Sequence, residues 1–180
     1  MCGILATLRG IITEDLLKRL YHRGPDQWGV RSEEEASLAH TRLAIVSPGS
    51  PPQPLESENW ILTINGEIYN APRSKDTDCK FVLDMLELHG LHAPKYLDGV
   101  FAFVAYNKET NDIIAVRDPI GVCPLYWGFV ENQVWFSSEI KCLNHCAVVD
   151  HFPPGHAFCY PNTLYKYTDN YIMPFLKTKE

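Results

Sequence analysis

The sequence predicts an α+β fold in which antiparallel sheets pack against each other and a few helices cover them. Apolar segments of strand length, separated by turn residues, dominate the chain, and only two segments show the apolar spacing of a helix. The composition, with 46% hydrophobic and 21% charged residues, is that of an ordinary globular domain. Because 180 residues is the length of one domain, we expect residues 1–180 to form a single one.

Strands and both helices are predicted in the first half of the chain. They are, in order, a strand over Met1–Leu8, a helix over Glu14–Tyr21, strands over Leu38–Val46 and Trp60–Ile64, and a helix from Asp76–Asp78 to about His89. Thr13 is suited to cap the first helix, and Gly90 is suited to end the second. The turn dipeptide Asn65-Gly66 is expected to end the strand before it.

Strand signals prevail in the second half. The predicted strands are Val100–Tyr106, Ile113–Val116, Leu125–Val130, Val134–Ser137 and one strand-like stretch after Gly155. Turns separate these short segments, which indicates antiparallel meanders. Strands flanked by a few helices therefore predict packed sheets rather than a parallel, doubly wound sheet.

Charge and composition exclude several classes of partner. A net charge of −6 leaves no basic footprint for nucleic acid or an anionic membrane. No apolar run reaches the roughly 18 residues of a membrane span, and the N-terminal residues do not form an export signal, so we expect a cytoplasmic protein. Its six cysteines are then expected to be free thiols. Cys142, His145 and Cys146 lie on one local segment without a second ligand pair, so we expect no metal and no other cofactor.

Cys2 is the first residue with a chemical interpretation. A small residue after the initiator methionine favours removal of Met1, which would leave a free α-amine beside the thiol. Because an α-amine has a pKa of about 7.7–8.0, one residue would then supply both nucleophile and general base. On general cysteine usage alone, a small buried apolar residue is the commoner interpretation.

Several motifs that follow one another in sequence order favour the catalytic interpretation of Cys2 over the structural one. They are Met1-Cys2-Gly3-Ile4, Arg23-Gly24-Pro25-Asp26, His40-Thr41-Arg42-Leu43-Ala44-Ile45-Val46, Asn65-Gly66-Glu67-Ile68-Tyr69-Asn70, Thr77-Asp78-Cys79, Asp98–Phe103, Arg117–Gly121 with Pro124–Tyr126, and Ser138–Lys141. In this order and at these intervals, they closely resemble the glutaminase domain of glutamine-dependent asparagine synthetases. That domain is a class II amidotransferase of the N-terminal-nucleophile superfamily. The resemblance covers nearly the whole chain and implies a four-layer αββα sandwich of two stacked antiparallel sheets.

The resemblance implies hydrolysis of L-glutamine to glutamate and ammonia through a thioester on Cys2. Asn65 and Gly66 match the residues that stabilise the oxyanion in this family. Arg42 matches the residue that binds the α-carboxylate, a role suited to a guanidinium fork. The remaining expected substrate-binding residues are Ile45, Val46, Glu67 and Asp78, and the last two are matched to the α-ammonium group. Separately, Arg42 would usually be a solvated charge, Asp78 a helix cap and Asn65-Gly66 a hairpin turn.

Two departures from the family bear on function. The segment between Asn70 and Thr77 is shorter than asparagine synthetases generally have, so the site is expected to be more open and the placement of Asp78 depends on it. No Ser-Gly-Gly-x-Asp-Ser loop of an ATP-binding synthetase domain occurs, so we expect an ammonia-accepting synthase in trans. A catalytically silent module that senses glutamine or regulates a partner is the alternative. We assign Arg23–Asp26 to loop architecture, and Arg117, Asp118 and Glu139 to ion pairing.

Overall fold

Two antiparallel sheets form the body of the molecule in the computed structural model, which describes residues 1–44, 52–72, 78–161 and 163–168. The strands of the described residues are β1 (Gly3–Leu8), β2 (Gln27–Ser32), β3 (Ala36–Arg42), β4 (Leu55–Glu56), β5 (Trp60–Ile68), β6 (Gly99–Asn107), β7 (Ile113–Arg117), β8 (Tyr126–Val130), β9 (Gln133–Ser137), β10 (Val148–His151), β11 (His156–Cys159) and β12 (Thr163–Lys166). The helices are α1 (Glu14–Lys18) and α2 (Asp78–His89), with 3₁₀ turns at Gly90–Tyr96 and Ile140–Leu143.

The strands divide equally between the two sheets. Sheet A has the order β10-β8-β9-β1-β3-β2, and sheet B has the order β12-β11-β7-β6-β5-β4. All strand pairs between described residues are antiparallel, with Gly3 opposite Thr41 and Leu5 opposite Ser137. Each sheet therefore hydrogen-bonds strands from distant parts of the chain, and β1 lies in the interior of sheet A.

Three apolar layers hold the sandwich together. The inner faces of both sheets meet in a core that includes Ile4, Leu38, Val104 and Phe136. The outer face of sheet B packs against α2, and the outer face of sheet A packs against α1 and the Ile140–Leu143 turn. The predicted αββα order is confirmed, with thin helical layers. No helix in the described ranges is long and apolar enough to cross a membrane.

Strand β5 differs from its prediction at its C-terminal end. Asn65-Gly66 was expected to end the strand, but β5 continues to Ile68 and pairs with β6 along its whole length. Gly66 has a φ of 146°, and a Cβ there would lie 2.1 Å from the Val100 carbonyl oxygen. The prediction was wrong because the dipeptide serves here as a close approach of two paired strands rather than as a turn.

Candidate active site

Polar side chains replace apolar ones at one end of the space between the sheets. On β1 the inward positions are Ile4, Ala6 and Leu8, so the two-residue period of a strand also turns Cys2 inward. Ala36 and Leu38 are inward on β3, and the same period continues to His40 and Arg42. At this end of β1 and β3, the inward positions therefore carry polar groups in place of the apolar side chains of the core.

The corresponding positions of β5 face this end from sheet B. Ile61 belongs to the core between the sheets, and the same face carries Thr63, Asn65 and Glu67. Thr63 and Asn65 are buried, whereas Glu67 is exposed. The Thr63 hydroxyl donates to the Ala39 carbonyl oxygen at 3.1 Å and so connects the two sheets. The polar positions of both sheets thus belong to one edge of the sandwich.

Cys2 directly precedes β1 and is partly exposed. Its Sγ lies 4.0 Å from the Leu43 carbonyl oxygen, and its own carbonyl oxygen accepts a hydrogen bond of 2.9 Å from Arg23 Nε. The pairing of Gly3 with Thr41 brings Cys2 next to the end of β3, where Arg42 lies. Strand register therefore brings together two predicted site residues that are 40 positions apart.

The Arg23–Asp26 loop supports the segment that carries Arg42. A Cβ on Gly24 would lie 2.4 Å from the Thr41 carbonyl carbon, so only glycine permits this approach. The Asp26 backbone N–H donates to the Arg42 carbonyl oxygen at 3.1 Å, and Asp26 Oδ2 accepts from the Ala44 N–H at 2.7 Å. The loop role predicted for this motif is present. Ile45 and Val46, which were also predicted to bind substrate, lie outside the described residues.

The side-chain amide of Asn65 has N–H groups without an acceptor among the described residues. The side chain is 3% exposed, and its Nδ2 has no hydrogen-bond partner in the part of the chain that the structure describes. A buried N–H group without an acceptor costs about 1–3 kcal/mol, so such groups are rare away from functional sites. Asn65 therefore offers a donor at the polar end of the inter-sheet space.

Asp78 connects the start of α2 to the end of β5. Its Oδ2 accepts from the Ile68 backbone N–H at 3.0 Å, and its Oδ1 accepts from the Cys79 N–H at 2.9 Å. Burial raises the pKa of the Cys79 thiol, and the neighbouring Asp78 carboxylate and the Cys2 thiol raise it further. Asp78 thus lies at the end of β5 that also carries Asn65 and Glu67. Residues 73–77, which include most of the shortened connection, lie outside the described residues.

Gln53 is a neighbour of the site that the sequence did not reveal. Its Oε1 accepts from the Ile64 backbone N–H at 2.8 Å, and its Nε2 donates to Cys79 Sγ at 3.5 Å. The residue lies in a proline-rich stretch where turn signals hide any role in the site. Only its three-dimensional contacts identify it as a link between β5 and α2.

Arg23 and Glu139 are closer to Cys2 than their predicted roles suggested. Arg23 Nη1 lies 2.9 Å from Glu139 Oε1, so the predicted ion pairing of Glu139 is present. Among the described residues, the hydrogen bonds of the Arg117 and Asp118 side chains go to backbone groups, so the ion pairing predicted for these two residues stays a prediction. Asp118 accepts from four consecutive N–H groups, of residues 120–123, and Arg117 donates to three backbone carbonyl oxygens. They shape the loop between β7 and β8.

The described residues contain no group of three or more His, Cys, Asp or Glu side chains arranged to hold a metal ion. Cys142 Sγ instead donates to the Leu16 carbonyl oxygen, and the His145 ring packs against Trp135. All six cysteines have free thiols. The chemistry that this arrangement offers is therefore that of a thiol, an amide donor, a guanidinium and a carboxylate.

Comparison with known proteins gives both sequence and structural relatives. The family model described as "Glutamine amidotransferase domain" matches residues 1–154. The glutamine-hydrolyzing asparagine synthetase of Zea mays is 41% identical over 88% of this chain and 31% of its own length. A probable glutamine-hydrolyzing asparagine synthetase of Dictyostelium discoideum is 42% identical over 88% of this chain and 33% of its own length. The chain thus spans about a third of these relatives.

Solved structures share the fold at lower sequence identity. The glutamine phosphoribosylpyrophosphate amidotransferase of B. subtilis, complexed with ADP and GMP, matches with a TM-score of 0.76 and 15% identity, over 94% of this chain and 50% of that chain. A structure described as the allosteric regulatory enzyme of purine biosynthesis matches with a TM-score of 0.78 and 17% identity over the same shares. These likenesses show that the stacked sheets form the same fold as in those enzymes.

Proposed function

This chain belongs to the glutamine amidotransferase family, and we propose that it hydrolyses L-glutamine to glutamate and ammonia with Cys2 as the nucleophile. The observation that carries the proposal is the buried Asn65 amide, whose Nδ2 has no partner in the described part of the chain. It belongs to the inner face of β5, at the edge of the sandwich where Cys2 precedes β1. A buried donor at the end of the sandwich that carries a thiol is what an acyl-transfer site needs for its oxyanion.

Cys2 performs the covalent steps of the proposed reaction. After removal of Met1, the α-amine takes the thiol proton and Sγ attacks the side-chain amide carbon of glutamine. The carbon–nitrogen bond then breaks, the leaving nitrogen takes the proton, and ammonia departs from a γ-glutamyl thioester. Water hydrolyses the thioester, which releases glutamate and restores the thiol. Met1 is 60% exposed, so the packing of the fold depends little on this residue.

Binding and charge stabilisation fall to residues of both sheets. Asn65 Nδ2 and the Gly66 backbone N–H donate to the oxyanion. Because Gly66 has no Cβ, the substrate can approach its backbone N–H closely. Arg42 pairs with the α-carboxylate, for which a guanidinium provides two parallel hydrogen bonds. Asp78, assisted by Glu67, accepts from the α-ammonium group. Ile45 and Val46 complete the proposed substrate contacts.

The ammonia produced here is proposed to serve a synthase or synthetase partner, which in trans would be a separate chain. Ammonia released into bulk water at neutral pH becomes largely unreactive ammonium, so hydrolysis is useful when an acceptor enzyme is docked nearby. The named relatives are glutamine-hydrolyzing asparagine synthetases, and this chain spans about a third of their length. Affinity capture with the processed protein, followed by mass spectrometry, tests for an ATP-dependent synthase.

A removable N-terminal fusion provides the sharpest test of the nucleophile. Cleavage before Cys2 gives the processed protein, and cleavage before Met1 gives a form whose α-amine is not on Cys2. We expect only the processed form to release ammonia from glutamine and to be labelled at Cys2 by a glutamine-like diazo-ketone. Retained Met1 converts the basic amine into a nonbasic amide and occupies the space next to the thiol.

Two cysteine variants complete this experiment. Cys2→Ala should lose both activities while melting near the wild-type temperature. Cys146→Ala is the matched control, because Cys146 packs on the outer face of sheet A and burial raises the pKa of its thiol to about 11. It should keep both activities. Equal rates with and without Met1 would refute the terminal-amine mechanism, and an inactive processed protein would favour the silent glutamine-binding module.

A further inference from the structure

Among the described residues, the end of β1 that carries Cys2 has no strand partner on one side. Ladder pairing of β1 with β3 begins at Gly3, but pairing with β9 begins only at Leu5. On that side the chain after β9 takes over, because the Ser138 N–H donates to the Ile4 carbonyl oxygen at 3.0 Å and Ser138 Oγ accepts from the Ile4 N–H at 3.1 Å. On this side of β1, the residue after Ser138 is therefore the one placed to support the backbone of Cys2.

That next residue, Glu139, reaches Cys2 through a single intermediary. Glu139 Oε1 accepts from Arg23 Nη1 at 2.9 Å, and Arg23 Nε donates to the Cys2 carbonyl oxygen at 2.9 Å. The Arg23 side chain is only 11% exposed, so it has few alternative partners in water. Both bonds are short, and together they form a continuous connection from the segment after β9 to the backbone of Cys2.

Glu139 is itself fixed on several sides. Its backbone N–H donates to Ser137 Oγ at 3.0 Å, and its carbonyl oxygen accepts from the Cys142 N–H at 3.1 Å. Its carboxylate also lies 3.2 Å from His22 Nε2. Burial raises the pKa of the Glu139 carboxyl, but hydrogen bonds from Arg23 and His22 outweigh that effect and hold it below its usual range. The acceptor that Arg23 needs is thus ionised and held in place.

We propose that Glu139 is a positioning residue for the nucleophile: it orients Arg23, and Arg23 holds the Cys2 carbonyl so that the thiol and α-amine face the substrate. This inference rests on the proposed glutamine hydrolysis. Glu139 touches neither glutamine nor the reacting atoms, so its contribution belongs to the rate of attack and not to the binding of substrate. A misplacement of reacting groups by 1 Å costs about 10²-fold in rate.

The experiment compares Glu139→Ala and Glu139→Gln with the processed wild-type protein. Glu139→Ala removes the acceptor for Arg23, so we expect kcat to fall by about 10- to 100-fold while KM for glutamine changes little. Glu139→Gln keeps an oxygen acceptor at the same position. We expect this variant to recover most of the lost kcat.

Glu35→Ala supplies a matched control. Glu35 pairs with Arg9 at 2.7 Å beyond the other end of β1, roughly 20 Å from Cys2 by strand length. Loss of this second Arg–Glu pair should leave kcat and KM unchanged. Circular dichroism and melting temperature verify that each variant is folded, and Glu139→Gln carries the test if Glu139→Ala does not fold.

The possible results separate this proposal from the one on which it rests. A wild-type kcat in Glu139→Ala overturns the positioning role, as does a raised KM with unchanged kcat. Equal losses in the Ala and Gln variants, with wild-type rates in Glu35→Ala, also overturn it, because the hydrogen-bond acceptor would then have no part. A wild-type protein that does not hydrolyse glutamine overturns the proposed function, and the positioning role with it.

Discussion

Arg42 belongs to an inward position of sheet A, where its proposed partner is the glutamine α-carboxylate. Arg42→Lys keeps the positive charge but loses the planar pair of donors. We expect KM for glutamine to rise about 10-fold or more, as for loss of one hydrogen bond to a charged group, with kcat nearly unchanged. Steady-state kinetics of ammonia release measure both constants. An unchanged KM would assign carboxylate binding to another residue.

Asn65 is expected to give the opposite kinetic signature. Its amide donor, which has no partner among the described residues, is proposed to act on the oxyanion, which exists only as the reaction proceeds. Asn65→Ala should therefore lower kcat by roughly 10²-fold or more with little change in KM. Single-turnover measurements with the processed protein separate the acylation step from product release. A pure rise in KM would instead place Asn65 in ground-state binding.

His40 connects the site to the pH dependence of folding. Burial lowers the pKa of His40 from 6.5 to about 4, and the charge of Arg42 adds to this effect, while a hydrogen bond with the Ile64 backbone opposes it. As pH falls below 6.5, the unfolded chain binds a proton that the folded protein still rejects. Stability is therefore lost between about pH 6.5 and 4, with a loss of about 2 kcal/mol between pH 7 and pH 5.

Urea denaturation at pH 7 and pH 5 measures this effect in wild type and in His40→Gln. The variant has no imidazole at position 40. Between pH 7 and pH 5, its free energy of unfolding should therefore fall by about 2 kcal/mol less than that of the wild type. Any contribution from the other histidines is common to both proteins and cancels in the comparison. Identical pH dependence in the two proteins would show that His40 is not the buried neutral group responsible.

Among the elements, β5 shows best how a strand accommodates a functional motif. Gly66 lies within the paired region opposite Phe101, and its φ of 146° is one that residues with a Cβ rarely adopt. Gly66→Ala would place a Cβ 2.1 Å from the Val100 carbonyl oxygen. We expect a loss of roughly 3 kcal/mol or more in the free energy of unfolding, because strain and a backbone clash add.

Gly90→Ala is the control for this prediction. Gly90 also has a positive φ, 53°, but a Cβ there would meet no atom within 4 Å. Gly90→Ala should lower the free energy of unfolding by about 1–2 kcal/mol, the cost of the left-handed conformation alone. Equal losses for the two variants in denaturant unfolding would show that the close approach of β5 and β6 has no energetic role.

The sequence predicted most strands but not how they pair. Apolar spacing identified β1, β6 and β7 closely, because buried strands carry continuous apolar runs. Strand β2 was missed because it is largely exposed and contains only two apolar side chains, those of Trp28 and Val30. The predicted first helix extended to Tyr21, whereas α1 ends at Lys18. The long-range register of β1 with β9 could not be predicted, because residue propensity and apolar periodicity describe only neighbouring residues.

The candidate site was predicted in the same uneven way. Motif order identified Cys2, Arg42, Asn65 and Asp78 as one group, and strand register and contacts bring their segments to one end of the sandwich. Gln53 carries no motif, so its contacts required coordinates. For Glu139 the sequence predicted an ion pair but did not identify the partner. Arg23 lies 116 positions away, and such a distant contact leaves no local signal in the sequence.

For the whole molecule, the packing of one sheet on the other determines stability. Phe136 on sheet A is fully buried, and its ring lies 5.9 Å from that of Phe158 on sheet B and 6.3 Å from that of Phe152. Phe136→Ala should cost about 3–5 kcal/mol, because the cavity lies at the contact between the sheets. Phe129→Ala, at a position that is 37% exposed, should cost about half of that or less. Chemical denaturation of both variants measures the difference.

The pairing of β1 with β9 also determines when, during synthesis on the ribosome, a competent molecule can first exist. Cys2 is synthesised well before Ser137, yet Leu5 pairs with Ser137 and Ile4 bonds to Ser138. Translation must therefore pass residue 139 before the first residues acquire their final neighbours. Domains dominated by such non-local pairing fold slowly. The aminopeptidase step of the proposed mechanism therefore has an unpaired amino terminus to act on until most of the domain has been made.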